Sequence, residues 1–183
     1  MKDNVVLKRI QVLLIVVIAL LALNTILLIV FNGNSGGSNN TTTDENEFTT
    51  AKLDDVLKLF DNEGKTVVYL GKDGCSWCEK FIPHLQEAQS AYGYKTVYLD
   101  VTTVSKSSNS YSEFLKKLDG KEYTLDPDGE GDQTHTYGEW YDQFGFTPML
   151  FIIEDGKFKD GIIGYYDQTG LNSFLETNGF ESK

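Results

Sequence analysis

The stretch KTVVYLGKDGCSWCEKFIP, residues 65–83, decides how the chain folds. Lys65 to Leu70 is an apolar, β-branched run of strand length. It gives way through Gly71, Lys72, Asp73 and Gly74 to a helical pattern starting near Ser76. Cys75 and Cys78, the only two cysteines, sit at that junction. A helix N-terminus presents unpaired N–H groups and the positive end of the macrodipole, which favour thiolate over thiol at Cys75. Cys78 lies about one helical turn deeper, within reach of a small disulfide ring. Cys75 is therefore expected as the exposed nucleophile and Cys78 as the resolving thiol, a geometry suited to dithiol–disulfide exchange. A purely structural staple fits less well, because a ring this short hardly restricts the unfolded chain. Zinc needs about four ligands, and beyond the cysteines only His84 and His135 remain, so no metal is expected.

Outward from this stretch the pattern alternates between helix and strand. Upstream, Leu53, Val56, Leu57 and Phe60 recur at helical spacing over Thr50–Asp61. Downstream, Ser76–Tyr92 reads as a helix with Phe81, Ile82, Leu85 and Ala88 inward and Pro83 expected to kink it. A second strand at Lys95–Val101 completes a βαβ unit. The polar segment Thr102–Ser110 leads to a short helix at Tyr111–Leu118, then to an acidic loop at Asp126–Asp132. That loop has carboxylates at calcium-loop spacing but Tyr137 where the closing Glu belongs, so it reads as a solvated acidic loop. A helix at Tyr137–Phe144, a strand at Met149–Ile153, an edge strand at Phe158–Ile163 and a helix at Thr169–Asn178 finish the chain.

The other end of the chain is of a different kind. Ile10–Phe31 is a nearly unbroken apolar run of 22 residues, which matches the roughly 30 Å hydrocarbon core of a bilayer. Lys2, Lys8 and Arg9 precede it, and no basic residue follows before Lys52. The expectation is a single-pass anchor at 10–31, with residues 1–9 cytoplasmic and the C-terminal body outside the cell membrane. A cleaved signal peptide, using Ala19 or Ala22, is the competing reading; the run continues past both alanines, which favours the anchor. Residues 32–47 are rich in Asn, Ser, Gly, Thr and acidic side chains, the composition of a flexible linker. The first ten residues carry +2 within a net charge of −11, so the remainder carries −13. An acidic body of that kind excludes a phosphate-binding, nucleic-acid function.

In order, these motifs resemble the thioredoxin superfamily over roughly residues 50–180. The resemblance is carried by the strand-ending Cys75-Ser76-Trp77-Cys78 and by Pro83, eight residues after Cys75. Gly145-Phe146-Thr147-Pro148 opening a strand, and the Asp155-Gly156-Lys157 turn with Gly164 and a terminal helix, complete it. Residues 69–83 are also similar to bacterial, membrane-anchored thioredoxin-like proteins of the bacteriocin-transport accessory type. The resemblance implies an α/β fold with a central mixed sheet flanked by helices, within a domain spanning 48–183. It also implies a cis Pro148 beside the cysteines, with the Thr147 backbone pairing to an extended substrate segment. Trp77 would contact substrate and control solvent access.

The departures are as informative. Ordinary thioredoxins have Gly-Pro where this chain has Ser76-Trp77, and a buried aspartate where it has Tyr69. Tyr69, Ser76 and Lys72 are therefore candidates for tuning the pair, with Lys72 and Lys80 favouring the thiolate and Asp73 and Glu79 opposing it. The segment 102–139 exceeds the thioredoxin plan and returns just before Thr147, so it could border the site; a surface ornament is the alternative. His135, within it, could approach the cysteines, whereas His84 reads as a solvent-facing or partial-core helix residue rather than a proton relay. Together these features imply a thiol–disulfide oxidoreductase for cysteine-containing protein or peptide substrates, with a membrane redox partner and no cofactor beyond the Cys75–Cys78 disulfide. The rival is an accessory or binding protein on the same scaffold, for example in peptide or bacteriocin export, in which the redox pair is incidental.

Overall fold

The computed structural model describes residues 47–183. The cytoplasmic segment and anchor expected at 1–31, and all but the last residue of the linker, lie outside the described residues. Among the described residues no helix is long and apolar enough to cross a membrane.

Val67, Val68, Tyr69 and Leu70 are all buried, so β2 (Lys65–Gly71) is apolar on both faces, as a central strand must be. It is flanked by β3 (Thr96–Asp100), parallel to it, and by β6 (Met149–Glu154), antiparallel to it. The short strand β1 (Thr49–Ala51) pairs parallel with β3, and β7 (Lys157–Ile163) pairs antiparallel with β6. The resulting mixed sheet has the order β1-β3-β2-β6-β7. Three parallel strands followed by an antiparallel pair, with the connection after β2 carrying the cysteines, give the thioredoxin-like arrangement.

Alternation along the strands divides the core in two. Val67 and Tyr69 of β2, with Leu150 and Ile152 of β6, face α2 (Ser76–Tyr92) and α5 (Gln168–Thr177), where Phe81, Leu85, Leu171 and Leu175 meet them. Val68, Leu70, Met149, Phe151 and Ile153 face the other layer. That layer is built from α1 (Leu53–Lys58), α3 (Asn109–Leu118) and α4 (Tyr137–Glu139), the last continuing as a wider π-type turn over Trp140–Phe144. Buried Gln89 of α2 accepts the Thr96 N–H at 2.7 Å, tying the crossover helix to the start of β3.

Two elements differ from the sequence expectation. Thr50–Asp61 is not helical throughout: Thr49–Ala51 forms the edge strand β1, α1 starts at Leu53, and a 3-10 turn closes it over Leu59–Asp61. Three residues with no buried side chain leave no periodic signal; the strand exists because β3 offers it an open edge. The segment after α3 is not an irregular loop either. Glu122–Leu125 (β4) and Gln133–Thr136 (β5) pair as an antiparallel hairpin, with the acidic run as its turn. There the Asp126 carboxylate accepts the N–H groups of Gly129 and Gly131 at 2.8 and 3.2 Å, and Asp128 that of Glu130 at 3.1 Å. These carboxylates cap the turn's own backbone.

Candidate functional site

The chain turns sharply at the C-terminal end of β2, because Gly74 takes a left-handed conformation (φ +70°) before Cys75 caps α2. Cys75 is extended (φ −89°, ψ 102°), and its Sγ accepts the Cys78 N–H at 3.2 Å. A sulfur in the N-cap position thus occupies the place of the usual capping oxygen, at the positive end of a 17-residue helix. Cys75 and Cys78 are joined as a disulfide, with Cα atoms 5.2 Å apart. Cys78 is only 1% exposed and packs in the α2–α5 layer, while Cys75 is half-buried and reachable. The sequence reading of an outer and an inner sulfur fits this asymmetry.

The loop before β6 closes over the outer sulfur. The Thr147–Pro148 peptide bond is cis. The Thr147 hydroxyl donates to Cys75 Sγ at 3.4 Å, and the Thr147 carbonyl oxygen lies 3.5 Å from the same sulfur, where a reduced thiol would donate to it. Pro148 is buried, and its carbonyl accepts the Gly164 N–H at 2.8 Å, which fastens the end of β7 to this loop.

Of the remaining sequence candidates, Trp77 stands out from the surface at 53% exposure and packs on Tyr165, ring centroids 5.7 Å apart. Lys80 Nζ lies over the Trp77 ring at 4.4 Å, so this cation is spent on the indole. Ser76 and Lys72 are exposed, and neither side chain makes a hydrogen bond or ion pair among the described residues. Tyr69 is buried in an aromatic stack, 5.3 Å from Tyr98 and edge-on to Phe81 and Phe48. Burial, with a smaller contribution from the Tyr98 phenol, pushes its hydroxyl far above the ordinary tyrosine range. A neutral phenol therefore stands where ordinary thioredoxins carry a carboxylate.

Neither histidine hydrogen-bonds to a sulfur among the described residues. His84 bridges Gln168 Oε1 (3.1 Å) and the Tyr165 hydroxyl (3.0 Å), joining α2 to the start of α5 and the loop before it. Since Gln168 Oε1 only accepts, Nδ1 carries the proton in that pair. His135 packs against Trp140 at 4.8 Å and Phe144 at 5.3 Å.

One residue beside the cysteines escapes the sequence reading: Tyr165, 37% exposed and packed on Trp77. Its signal was present in Tyr165-Tyr166 after Gly164. What no pattern conveys is that the folded chain brings this segment onto Trp77.

No protein-family model matches the chain, and no curated protein matches it. Solved structures do resemble it. Mitochondrial thioredoxin 3 from Saccharomyces cerevisiae, oxidised form, is 18% identical with a TM-score of 0.48, over 73% of this chain and 97% of that one. Oxidised thioredoxin from Plasmodium falciparum is 13% identical with a TM-score of 0.46, over 72% and 98%. Nothing about substrate or direction is carried across at that level. The fold assignment rests on the strand order, and the chemistry on the cysteine geometry.

Proposed function

We propose that the protein is a membrane-anchored thiol–disulfide oxidoreductase acting outside the cytoplasm on cysteine-containing proteins or peptides. One observation carries the redox reading: a reachable sulfur caps α2 beside Thr147 and is bonded to a second sulfur that solvent does not reach. The anchoring rests on the apolar run Ile10–Phe31 and the basic residues before it, and a membrane redox partner would exchange electrons with the pair from there.

In the disulfide form, a substrate thiolate attacks Cys75 Sγ, the accessible end of the bond. The Cys75–Cys78 bond breaks and Cys78 leaves as a thiolate, which takes up a proton. A second substrate thiolate then attacks the substrate sulfur of the mixed disulfide and expels Cys75 as a thiolate, which the helix N-terminus and the Thr147 hydroxyl stabilise. Two electrons pass from the substrate dithiol to the protein. The reverse sequence, begun by the Cys75 thiolate, reduces a substrate disulfide, with Cys78 releasing the product. Trp77 and the Thr147–Pro148 backbone hold the substrate segment.

The test is a redox titration of the full-length protein against glutathione and dithiothreitol, with tryptophan fluorescence as the signal. A potential near about −270 mV assigns a reductase and one near about −120 mV an oxidant. Cys75→Ser should abolish exchange, and Cys78→Ser should accumulate the mixed disulfide. A pair that equilibrates with neither buffer leaves only the accessory-protein reading.

A further inference from the structure

The parallel strands β1, β3 and β2 all end on the side of the sheet that carries Cys75. From β2 the chain leaves into α2, on one layer; from neighbouring β3 it leaves toward α3, on the other. Adjacent parallel strands whose connections part in this way open a crevice at their carboxyl ends, which is where open α/β sheets bind ligands. A cavity of about 770 Å³ lies there. It is lined by the ends of β1 and β3, the first turn of α1, Asp73 from the loop before Cys75, and the opening of the segment 102–139. Its volume falls within the roughly 300–1,000 Å³ of clefts that take a ligand.

The lining is acidic: Asp54, Asp55, Asp73 and Asp100 against a single cation, Lys52. Two of the carboxylates are already partnered. Asp55 pairs with Lys58 at 2.8 Å, and Asp100 accepts the N–H and hydroxyl of Thr102 at 2.9 and 2.7 Å. Asp54 and Asp73 are exposed and make no hydrogen bond or ion pair among the described residues. Tyr98 adds an aromatic face to the lining. Burial, and after it the Asp100 and Asp73 carboxylates, raise its hydroxyl above the ordinary tyrosine range, so both carboxylates lie within electrostatic reach of that one phenol. A guanidinium can stack on such a ring while donating to a carboxylate. The cavity also adjoins the reactive sulfur. Asp73 is two residues from Cys75, so their Cα atoms are no more than about 7.6 Å apart.

We propose that this cavity is a substrate subsite for a basic side chain, Arg or Lys, two to four residues from the reactive cysteine of the client chain. The inference rests on the exchange activity proposed above and adds the client's charge to it. The disulfide selects a chain that bears a cysteine, and the unpaired carboxylates beside it select a cation on that chain. Among the described residues no group of three His, Cys, Asp or Glu side chains is placed to hold a metal ion, so the cation is one the client carries. In an extended segment the second and fourth neighbours of a cysteine share its face, about 6.6 and 13 Å away. A chain that sets its cysteine on Cys75 and runs toward β3 brings those positions past Asp73 to the cavity. The opening of the segment 102–139 is then a specificity element.

The test uses full-length reduced protein and symmetric disulfides of short peptides, with Arg, Gln or Glu at the second and fourth positions on each side of a single cysteine. The Cys75 thiolate attacks one peptide sulfur and expels the other peptide as a thiolate; Cys78 then attacks Cys75 and releases the second. One protein dithiol and one peptide disulfide become one protein disulfide and two peptide thiols. A charge-assisted contact in the cavity predicts a second-order rate constant about tenfold higher for the Arg peptide than for the Gln peptide, and a lower one for Glu. Asp54→Asn and Asp73→Asn, both at exposed positions, should each cut the Arg-to-Gln ratio about threefold. Asp73 also opposes the Cys75 thiolate, so its variant changes every rate, and the ratio cancels that effect. Glu63→Gln removes the same charge at the opposite, amino end of β2 and should leave the ratio unmoved. Equal rates for the Arg and Gln peptides overturn the proposal, and so does a ratio that neither aspartate variant lowers. A ratio that Glu63→Gln lowers as far as they do also overturns it, since overall charge then accounts for the preference. Hydroxyethyl disulfide, small and uncharged, separates the two readings. If the wild-type protein reduces it while treating the peptides alike, only the subsite fails; if it reduces neither it nor any peptide, the redox reading fails as well.

Discussion

The hydroxyl of Thr147 donates to Cys75 Sγ at 3.4 Å, whereas the carbonyl of the same residue sits 3.5 Å from that sulfur as an acceptor. The two groups act in opposite directions once the disulfide is reduced. The hydroxyl favours the thiolate and the carbonyl favours the thiol. Thr147→Val removes the first and keeps the second at nearly the same volume. A hydrogen bond to a charged group is worth about 1.5 kcal/mol or more, so the Cys75 thiol should titrate roughly one unit higher in the variant. The pH dependence of thiolate absorbance, or of alkylation at Cys75, measures it. An unchanged titration would remove Thr147 from the account of thiolate stabilisation.

A second prediction concerns Gly71, the last residue of β2. A Cβ there would fall on the Tyr69 phenol, 2.6 Å from Cζ. The ring has little room to yield, since Tyr98 stacks on it at 5.3 Å and Phe81 meets it edge-on at 6.2 Å. Gly71→Ala should destabilise the protein by about 1–3 kcal/mol through overpacking. Tyr69→Leu clears the position, at its own cost in lost packing. The double variant should then be more stable than the sum of the single effects by about 1 kcal/mol, a coupling that a denaturant-based double-mutant cycle resolves. Additivity would show that the ring moves aside.

Alkaline pH should unfold the domain cooperatively. Burial raises the hydroxyls of Tyr69, Tyr94, Tyr123 and Tyr137 above the reference value of 10.0, and that of Tyr141 to about 12. A raised folded pKa means that between it and the unfolded value the folded chain holds more protons. Stability is therefore full below pH about 10 and falls as pH rises beyond it. Phenolate absorbance from these residues should appear together with loss of the circular-dichroism signal. Titration of all of them near the ordinary value with the fold intact would contradict their burial.

The centre of the fold was legible in the sequence because several signals agreed there. Val67, Val68 and Leu70 state a doubly buried strand, the cysteine spacing states a strand-to-helix junction, and Thr147-Pro148 states where the next strand opens. The edge and the insert were not legible. Thr49–Ala51 is a strand only because β3 leaves an edge beside it, and the hairpin strands have just four residues each. Their half-buried residues alternate, but the acidic turn between them dominates the composition. The contact between Trp77 and Tyr165 was hidden for a third reason. The two residues lie far apart in the chain, and only the fold brings their rings to 5.7 Å.

The final prediction tests whether the hairpin and the Tyr165 segment move together. The Tyr123 and Tyr166 hydroxyls meet at 2.7 Å, joining β4 to the loop that carries Tyr165. Tyr123→Phe removes one partner of that hydrogen bond and little volume, at an expected cost of about 0.5–1.5 kcal/mol. The loss should be local, because Trp140 Nε1 still holds the Tyr123 carbonyl and the Tyr137 hydroxyl still donates to the Gly161 carbonyl of β7 at 2.7 Å. Amide hydrogen exchange should accelerate in both 122–136 and 164–167, while α2 and β2 keep their protection. If only the hairpin loosens, the insert is an ornament packed on β7. If both segments loosen together, the insert holds the loop that sets Tyr165 against Trp77.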